Sequence, residues 1–196
     1  MTVLFHGNFA LDRPRMAGLV KLALKKPKLK DKELAEPFNY GAPFSATYRS
    51  WLHKTGLAKM GLPLVLTDMG KVVFDNDPTL ETTTTKWFLH YELVTDPERA
   101  EAWHYFAIEF LPKYSTFSKG ELLEGLAEKL GPHSMKHFGP GSNLNQQIAR
   151  KIIQVYTEPS GLGDLGLIAK DGEKFKCLRP KKPGPWKTPA ALAKAY

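Results

Sequence analysis

Cysteine is almost missing from this 196-residue chain: the one present, Cys177, leaves no intramolecular disulfide framework and no multi-cysteine zinc site. Long apolar runs are missing too. Nothing approaches the roughly 18 consecutive apolar residues needed to cross a bilayer. The opening "MTVLFHGNFALDRPR" has no basic start followed by a long apolar run and a small-residue cleavage site, so a secretory signal is not expected. These absences lead to the expectation of a cytoplasmic protein with no membrane partner. Acids are in short supply as well, with 20 Asp and Glu against 28 Lys and Arg, a net charge of +8.

The location of that charge matters more than its size. Residues 1–80 carry 12 basic against 7 acidic side chains, residues 81–112 carry 2 against 6, and residues 113–196 carry 14 against 7. Two basic stretches flanking an acidic middle suit a chain that meets a polyanion at both ends, because neutralising phosphates dominates non-specific nucleic-acid affinity. A merely solvated basic surface is the plainer alternative.

Helix signals punctuate the first stretch. Asp12 and Pro14 suit a helix start before the apolar pattern Met16, Leu19, Val20, Ala23 and Leu24, and Pro27 ends it. A short helix is expected over 31–36. A third, over 44–55, carries Phe44, Tyr48, Trp51 and Leu52 on one side. "LPLVLTDMGKVVF" then reads as two short strands, Leu64–Leu66 and Val72–Phe74, around a Gly-containing turn. Three helices and a hairpin is the order of a winged helix-turn-helix, whose third helix enters the major groove.

The middle is aromatic and reads as packed core, with Trp87, Phe88 and Tyr91 followed by a helix capped at Asp96-Pro97 that carries Trp103, Phe106 and Phe110. The order of the first stretch then recurs. "SKGE" at Ser118–Glu121 is a capping box, a short element lies around 135–138, an amide-rich helix begins near Asn143, and "LGLIAKDGEKFKCL" forms two strands joined at Asp171-Gly172. The expected fold is thus mainly α with small β-hairpin wings, two winged helix-turn-helix lobes joined by a helical spacer. Its expected segments are a first lobe over 1–78, an aromatic helical spacer over 79–112, a second lobe over 113–182 and a Pro/Lys-rich tail over 183–196.

The amide-rich helix is the main candidate site. At about 100° per residue, Leu144, Ile148, Ala149, Ile152, Ile153, Val155 and Tyr156 fill half the wheel, while Asn143, Gln146, Gln147, Arg150, Lys151 and Gln154 share the rest. Only Asn145 lies among the apolar positions. An ordinary solvated face mixes Glu with Lys, and this one holds no acid. Asn and Gln match the N6/N7 edge of adenine and Arg the O6/N7 edge of guanine, whereas a carboxylate would be repelled by phosphate. Ser45, Thr47, Arg49, Ser50 and Lys54 on the third helix are candidates for the same part. Lys174 and Lys176 in the hairpin and Lys181 and Lys182 beyond it are candidate phosphate contacts.

Signs of chemistry are weak. "GLGDLG" at 161–166 is a literal GxGxxG, but a helix precedes it and a hairpin follows, the reverse of the dinucleotide-binding context, so a loop is expected. The six histidines form no HExxH, and His133 and His137 are separated by a turn-rich stretch rather than set on one helix. Cys177 has no partner nearby in sequence. No catalytic residue, metal or cofactor is assigned.

The stretches "FHGNFALDRPRMAGLVK", "LTDMGKVVFDNDPTLE", "TTKWFLHYEL" and "ERAEAWHYFAIEFLPKYSTFSKGELL", in this order, resemble a prokaryotic family classed as a domain of unknown function, as does the later "GLGDLGLIAKDGEKF". Genes of that family often lie beside those of phosphoadenosine-phosphosulfate-reductase-like enzymes, in neighbourhoods of DNA phosphorothioation and phage defence. Members carry "HETF" and an Arg followed by a Trp-Leu pair near the start, where this chain has Gly7-Asn8-Phe9 and Arg13 with Gly18-Leu19. They also continue further with helices, so the chain looks short beside them. The resemblance implies an accessory role directed at DNA and supplies no catalytic residues.

Together these readings lead to the expectation of a non-enzymatic protein that binds duplex DNA as a regulator or targeting subunit of a DNA-modification or defence system. A homodimer is compatible with it. The rival expectation is an adaptor that docks a protein partner such as a sulfur-transfer enzyme.

Overall fold

The computed structural model describes residues 3–180 and 187–196. The chain forms α1 (Arg13–Lys25), α2 (Asp31–Ala35), α3 (Ala42–Lys54), α4 (Asp68–Asn76) and α5 (Thr83–Val94). It continues with α6 (Pro97–His104), β1 (Thr116–Ser118), α7 (Lys119–Leu130), α8 (Met135–Phe138) and α9 (Asn143–Thr157). Strands β2 (Ile168–Asp171) and β3 (Lys174–Cys177) and a last helix, α10 (Pro189–Ala195), follow. Among the described residues the fold is therefore mainly helical, with ten α-helices and one three-stranded antiparallel sheet. It divides into two compact units, one running from Phe5 to Leu93 and taking in the described residues from 187 onward, the other holding residues 94–180 with Val3 and Leu4. The stretch 79–112 is shared between them.

In the first unit, the Asp12 carboxylate accepts the Arg15 N–H at 3.0 Å and Pro14 stands in the first turn, so α1 starts where its capping chemistry dictates. Met16, Leu19, Val20 and Ala23 are its buried positions. They meet α3, which buries Phe44, Tyr48, Trp51 and Leu52. The Trp51 indole donates to the Phe9 carbonyl at 3.0 Å, which satisfies a polar atom that burial would otherwise leave unpaired. α10 packs on α4 and buries Leu192.

The expected wing of this unit is absent. Leu64–Leu66 contributes only an isolated bridge between Leu66 and Ala58, and Val72–Phe74 lies inside α4. The Thr67 hydroxyl caps that helix, accepting from the Gly70 N–H at 2.9 Å. Gly70, which looked like a turn residue, is a packing residue: a Cβ there would stand 1.9 Å from the Leu57 carbonyl oxygen. Of the two expected winged lobes, then, the first is a helical cluster without a hairpin.

The second unit does have a winged arrangement. The capping box forms as its residues suggest, with the Ser118 hydroxyl accepting from the Glu121 N–H at 3.2 Å and the Glu121 carboxylate accepting from the Ser118 N–H at 2.6 Å. Helices α7, α8 and α9 follow, and the β2–β3 hairpin closes against β1 in the order β1-β3-β2. Thr116 and Ser118 pair with Lys176 and Lys174, and Ile168 and Asp171 pair with Cys177 and Lys174. Gly172, at φ +57°, makes the turn. The core is aromatic: Phe106 stacks on Tyr156 with centroids 5.5 Å apart, Phe110 meets Phe117 edge-on at 5.2 Å, and Phe117 stacks on Phe175 at 5.3 Å. Phe106 and Phe110 lie on a widened π turn that extends α6.

Candidate nucleic-acid interface

The turn between α8 and α9 is held at three points. The Ser142 hydroxyl accepts from the N–H groups of Leu144 at 3.1 Å and Asn145 at 3.4 Å and donates to the His137 carbonyl. The Asn145 amide donates to the Phe138 carbonyl at 2.5 Å. Gly139 is required by space, since a Cβ there would stand 2.4 Å from the Met135 carbonyl oxygen. Asn145, the one amide among the apolar positions, is only 2 % exposed. It fastens the turn that aims α9.

On α9 itself, Ile148, Ala149, Ile152, Val155 and Tyr156 are buried. Burial pushes the Tyr156 phenol well above its ordinary value. Asn143, Gln146 and Arg150 are exposed and follow one another at helical spacing, with Gln147 and Gln154 half-buried beside them. The Gln154 amide donates to Glu158 at 3.0 Å, beyond the end of the helix. Lys151 departs from its expected place on the solvent face. It is 7 % exposed, and its ammonium donates to the Gln154 carbonyl oxygen at 3.3 Å. Burial lowers its pKa, neighbouring Arg150 lowers it further, and Glu158 pulls it part of the way back.

The hairpin adds exposed cations. Lys174 and Lys176 lie on the face of β3 that carries Thr116 and Ser118 on its neighbour, opposite to the face where Phe175 packs on Phe117. Lys170 and Arg179 are exposed as well, and neither stood among the sequence candidates. Lys170 pairs with Phe175 and so stands on the face of the hairpin opposite to Lys174 and Lys176. Asp171 and Glu173 at the turn offset part of this charge. Lys181 and Lys182 lie outside the described residues.

The α3 candidates are engaged within their own unit. The Ser45 hydroxyl donates to the Asp31 carbonyl at 2.5 Å, and that of Thr47 to the Pro43 carbonyl at 2.8 Å. The Arg49 guanidinium grips the Asp31 carboxylate through two bonds, of 2.8 and 2.6 Å, and donates to the Gly61 carbonyl at 3.1 Å. Lys54 is buried, with its ammonium 5.6 Å from the centre of the Phe5 ring. The two candidate sets therefore differ: α9 presents Asn143, Gln146 and Arg150 outward, and Ser45 and Arg49 of α3 are spent on holding α2 and the loop at Gly61.

Among the described residues no group of three or more His, Cys, Asp or Glu side chains is placed to hold a metal ion, and no helix is long and apolar enough to cross a membrane. "GLGDLG" forms a short 3₁₀ turn at Gly163–Leu165 ahead of β2.

Among the described residues the fold is that of a mainly helical protein with one small three-stranded antiparallel sheet, in a chain of net charge +8. Residues 25–183 match the family described as "Protein of unknown function (DUF4007)", and the chain belongs to that family. No curated protein is similar to it in sequence. Among solved structures, a magnesium ion-bound crystal structure of SspB shares its fold at a TM-score of 0.63 with 19 % identity, and another SspB crystal structure does so at 0.63 with 17 %. Each match covers 93 % of this chain but 61 % of the SspB chain, so this chain spans about three-fifths of the length of those proteins. At such identities the likeness is one of fold.

Proposed function

We propose that this protein binds duplex DNA through α9 and the β2–β3 hairpin, as an accessory, regulatory or targeting protein of a prokaryotic DNA-modification or phage-defence system. The observation that carries the reading is the exposed, acid-free row of Asn143, Gln146 and Arg150 on the third helix of a winged arrangement. Those three groups can meet base edges or phosphate. Lys174 and Lys176 add phosphate neutralisation from the wing. The setting is supported by the family, whose sequence resemblance points to DNA phosphorothioation and defence neighbourhoods. In this reading the protein contributes recognition, and the chemistry belongs to other components of the system.

Binding to a random-sequence duplex, titrated with salt, tests the proposal. Each phosphate neutralised contributes about −0.9 to the slope of log K against log salt, so three or four contacts give a slope of about −3. Absence of binding at low salt, or a flat salt dependence, would overturn it.

A further inference from the structure

One cavity in the first unit is far from α9 in sequence and plays no part in the DNA reading. It is an open cleft of about 1170 Å³ between α1 and α4. Ala17, Val20 and Leu24 of α1, Leu66 before α4 and Phe74 on α4 supply apolar lining. Leu24 is 53 % exposed, a large apolar side chain at a helical position with no cover among the described residues. Charge frames the cleft unevenly. Lys21 and Lys25 stand on the α1 side and make no ion pair among the described residues. On the α4 side, Lys71 is already paired with Asp68 at 3.0 Å, and Asp75 stands one turn further on.

From this arrangement we infer that the α1–α4 cleft docks an amphipathic helix of a partner protein, one with an apolar stripe flanked by acidic side chains on the edge that meets α1. The lining runs from Pro14 to Lys25, about 16 Å at 1.5 Å per residue, which a partner helix of about three turns spans. Apolar anchors at i, i+3 and i+7 reach a groove of this kind, and Leu24 and Phe74 are placed to receive them. Carboxylates on one edge meet the unpaired Lys21 and Lys25, and a base on the other edge meets Asp75. The complementarity is thus specific in sign on each side, which separates this occupant from a second copy of the chain or an uncharged apolar ligand. The inference is independent of the DNA reading, because none of these residues lies in the unit that carries α9.

A fluorescein-labelled helical peptide of about 12 residues, with leucines at i, i+3 and i+7, glutamates along one flank and lysines along the other, is the probe for anisotropy titration against the full chain. A second peptide with the flank charges inverted is the comparison. The expected result is that the first peptide binds at least about tenfold more tightly than the second, and that Leu24→Glu weakens it by about tenfold or more. Leu24 is exposed, so its replacement leaves the core intact, and duplex DNA affinity is expected to stay unchanged. The double variant Lys21→Glu with Lys25→Glu is expected to reverse the order of the two peptides. Equal binding of both peptides, or indifference to Leu24→Glu, overturns the inference. Self-association that Leu24→Glu abolishes also overturns it, because the cleft then belongs to a second copy.

Discussion

The Asn145 amide donates to the Phe138 carbonyl at 2.5 Å, tying the end of α8 to the first turn of α9. The same side chain keeps its Oδ1 buried without a donor among the described residues. Replacing Asn145 with Leu removes that acceptor but strands the Phe138 carbonyl, so a net loss of about 1–3 kcal/mol is expected. Asn145→Asp is expected to cost more, since a carboxylate there faces a carbonyl oxygen and has no donor. Urea midpoints of the two variants check the order, and the reverse order would show that another group holds the turn.

A second prediction concerns acid. Asp77 is buried, and its carboxylate accepts from the N–H groups of Glu81 at 3.0 Å and Thr82 at 2.8 Å and from the Thr85 hydroxyl at 2.6 Å. Burial alone would raise its pKa, but the Thr85 hydroxyl and the two N–H groups outweigh it and leave the value lowered. A carboxyl depressed in the folded state stabilises fully above its unfolded pKa, about 3.9, and the contribution is lost as pH falls through the folded value. Stability of the protein should therefore fall on acidification below about pH 4, and Asp77→Asn should be less stable at pH 7 by about 1–3 kcal/mol with a shallower acid limb. Unfolding curves at pH 7 and below pH 4 for both proteins measure this.

Arg150 and Lys151 are neighbours in sequence with opposite surroundings, one exposed and one buried. Lys151→Met keeps the length of the stem and removes a charge whose burial disfavours it, so a gain of up to about 1 kcal/mol is expected. Duplex affinity should be nearly untouched. Thermal unfolding and a binding titration on the same preparation decide it, and a large loss of DNA affinity with no change in stability would place Lys151 at the interface after all.

If α9 reads DNA as proposed, replacing Gln146 and Arg150 with Ala should flatten the preference among duplex sequences more than it lowers total affinity, a change of about 1–3 kcal/mol per contact at the preferred site. Lys174→Ala with Lys176→Ala should weaken all sequences alike and reduce the salt slope by about 2. Binding to a library of duplexes at two salt concentrations distinguishes the pairs. If neither pair changes binding, the DNA surface lies elsewhere.

How much of this was legible in the sequence depended on whether local chemistry or tertiary contact decided each element. Asp12, Asp96, Ser118 and Gly172 carry their own instructions in a few bonds, and the helices and the hairpin they mark stand as the sequence suggests. α4 was not legible in the same way. Val72, Val73 and Phe74 look like strand residues, and Gly70 looks like a turn until Leu57 is known to press against it. Its start signal, Thr67 with Asp68 following, was there, but β propensity outweighed it. At the site, the wheel placed the apolar half of α9 and the exposure of Asn143, Gln146 and Arg150 correctly. It misplaced Lys151, because a lysine stem can lie along apolar surface, and it could not show that Asp31 and Gly61 occupy Arg49.

One consequence of the position of α10 concerns the order in which the molecule is made. The Tyr196 hydroxyl lies 2.9 Å from that of Thr85, 111 residues earlier, and the Thr84 hydroxyl donates to the Ala195 carbonyl at 3.2 Å. A growing chain releases residues 5–93 first, yet α4 lacks the neighbour that α10 supplies until all of residues 94–180 have been synthesised. The first unit is thus completed only after residues 94–180 have been synthesised. Bridging so long a gap adds little entropy, because closure cost grows only with the logarithm of length. What it imposes is a waiting period, in which residues 5–93 exist without α10 while residues 94–180 assemble.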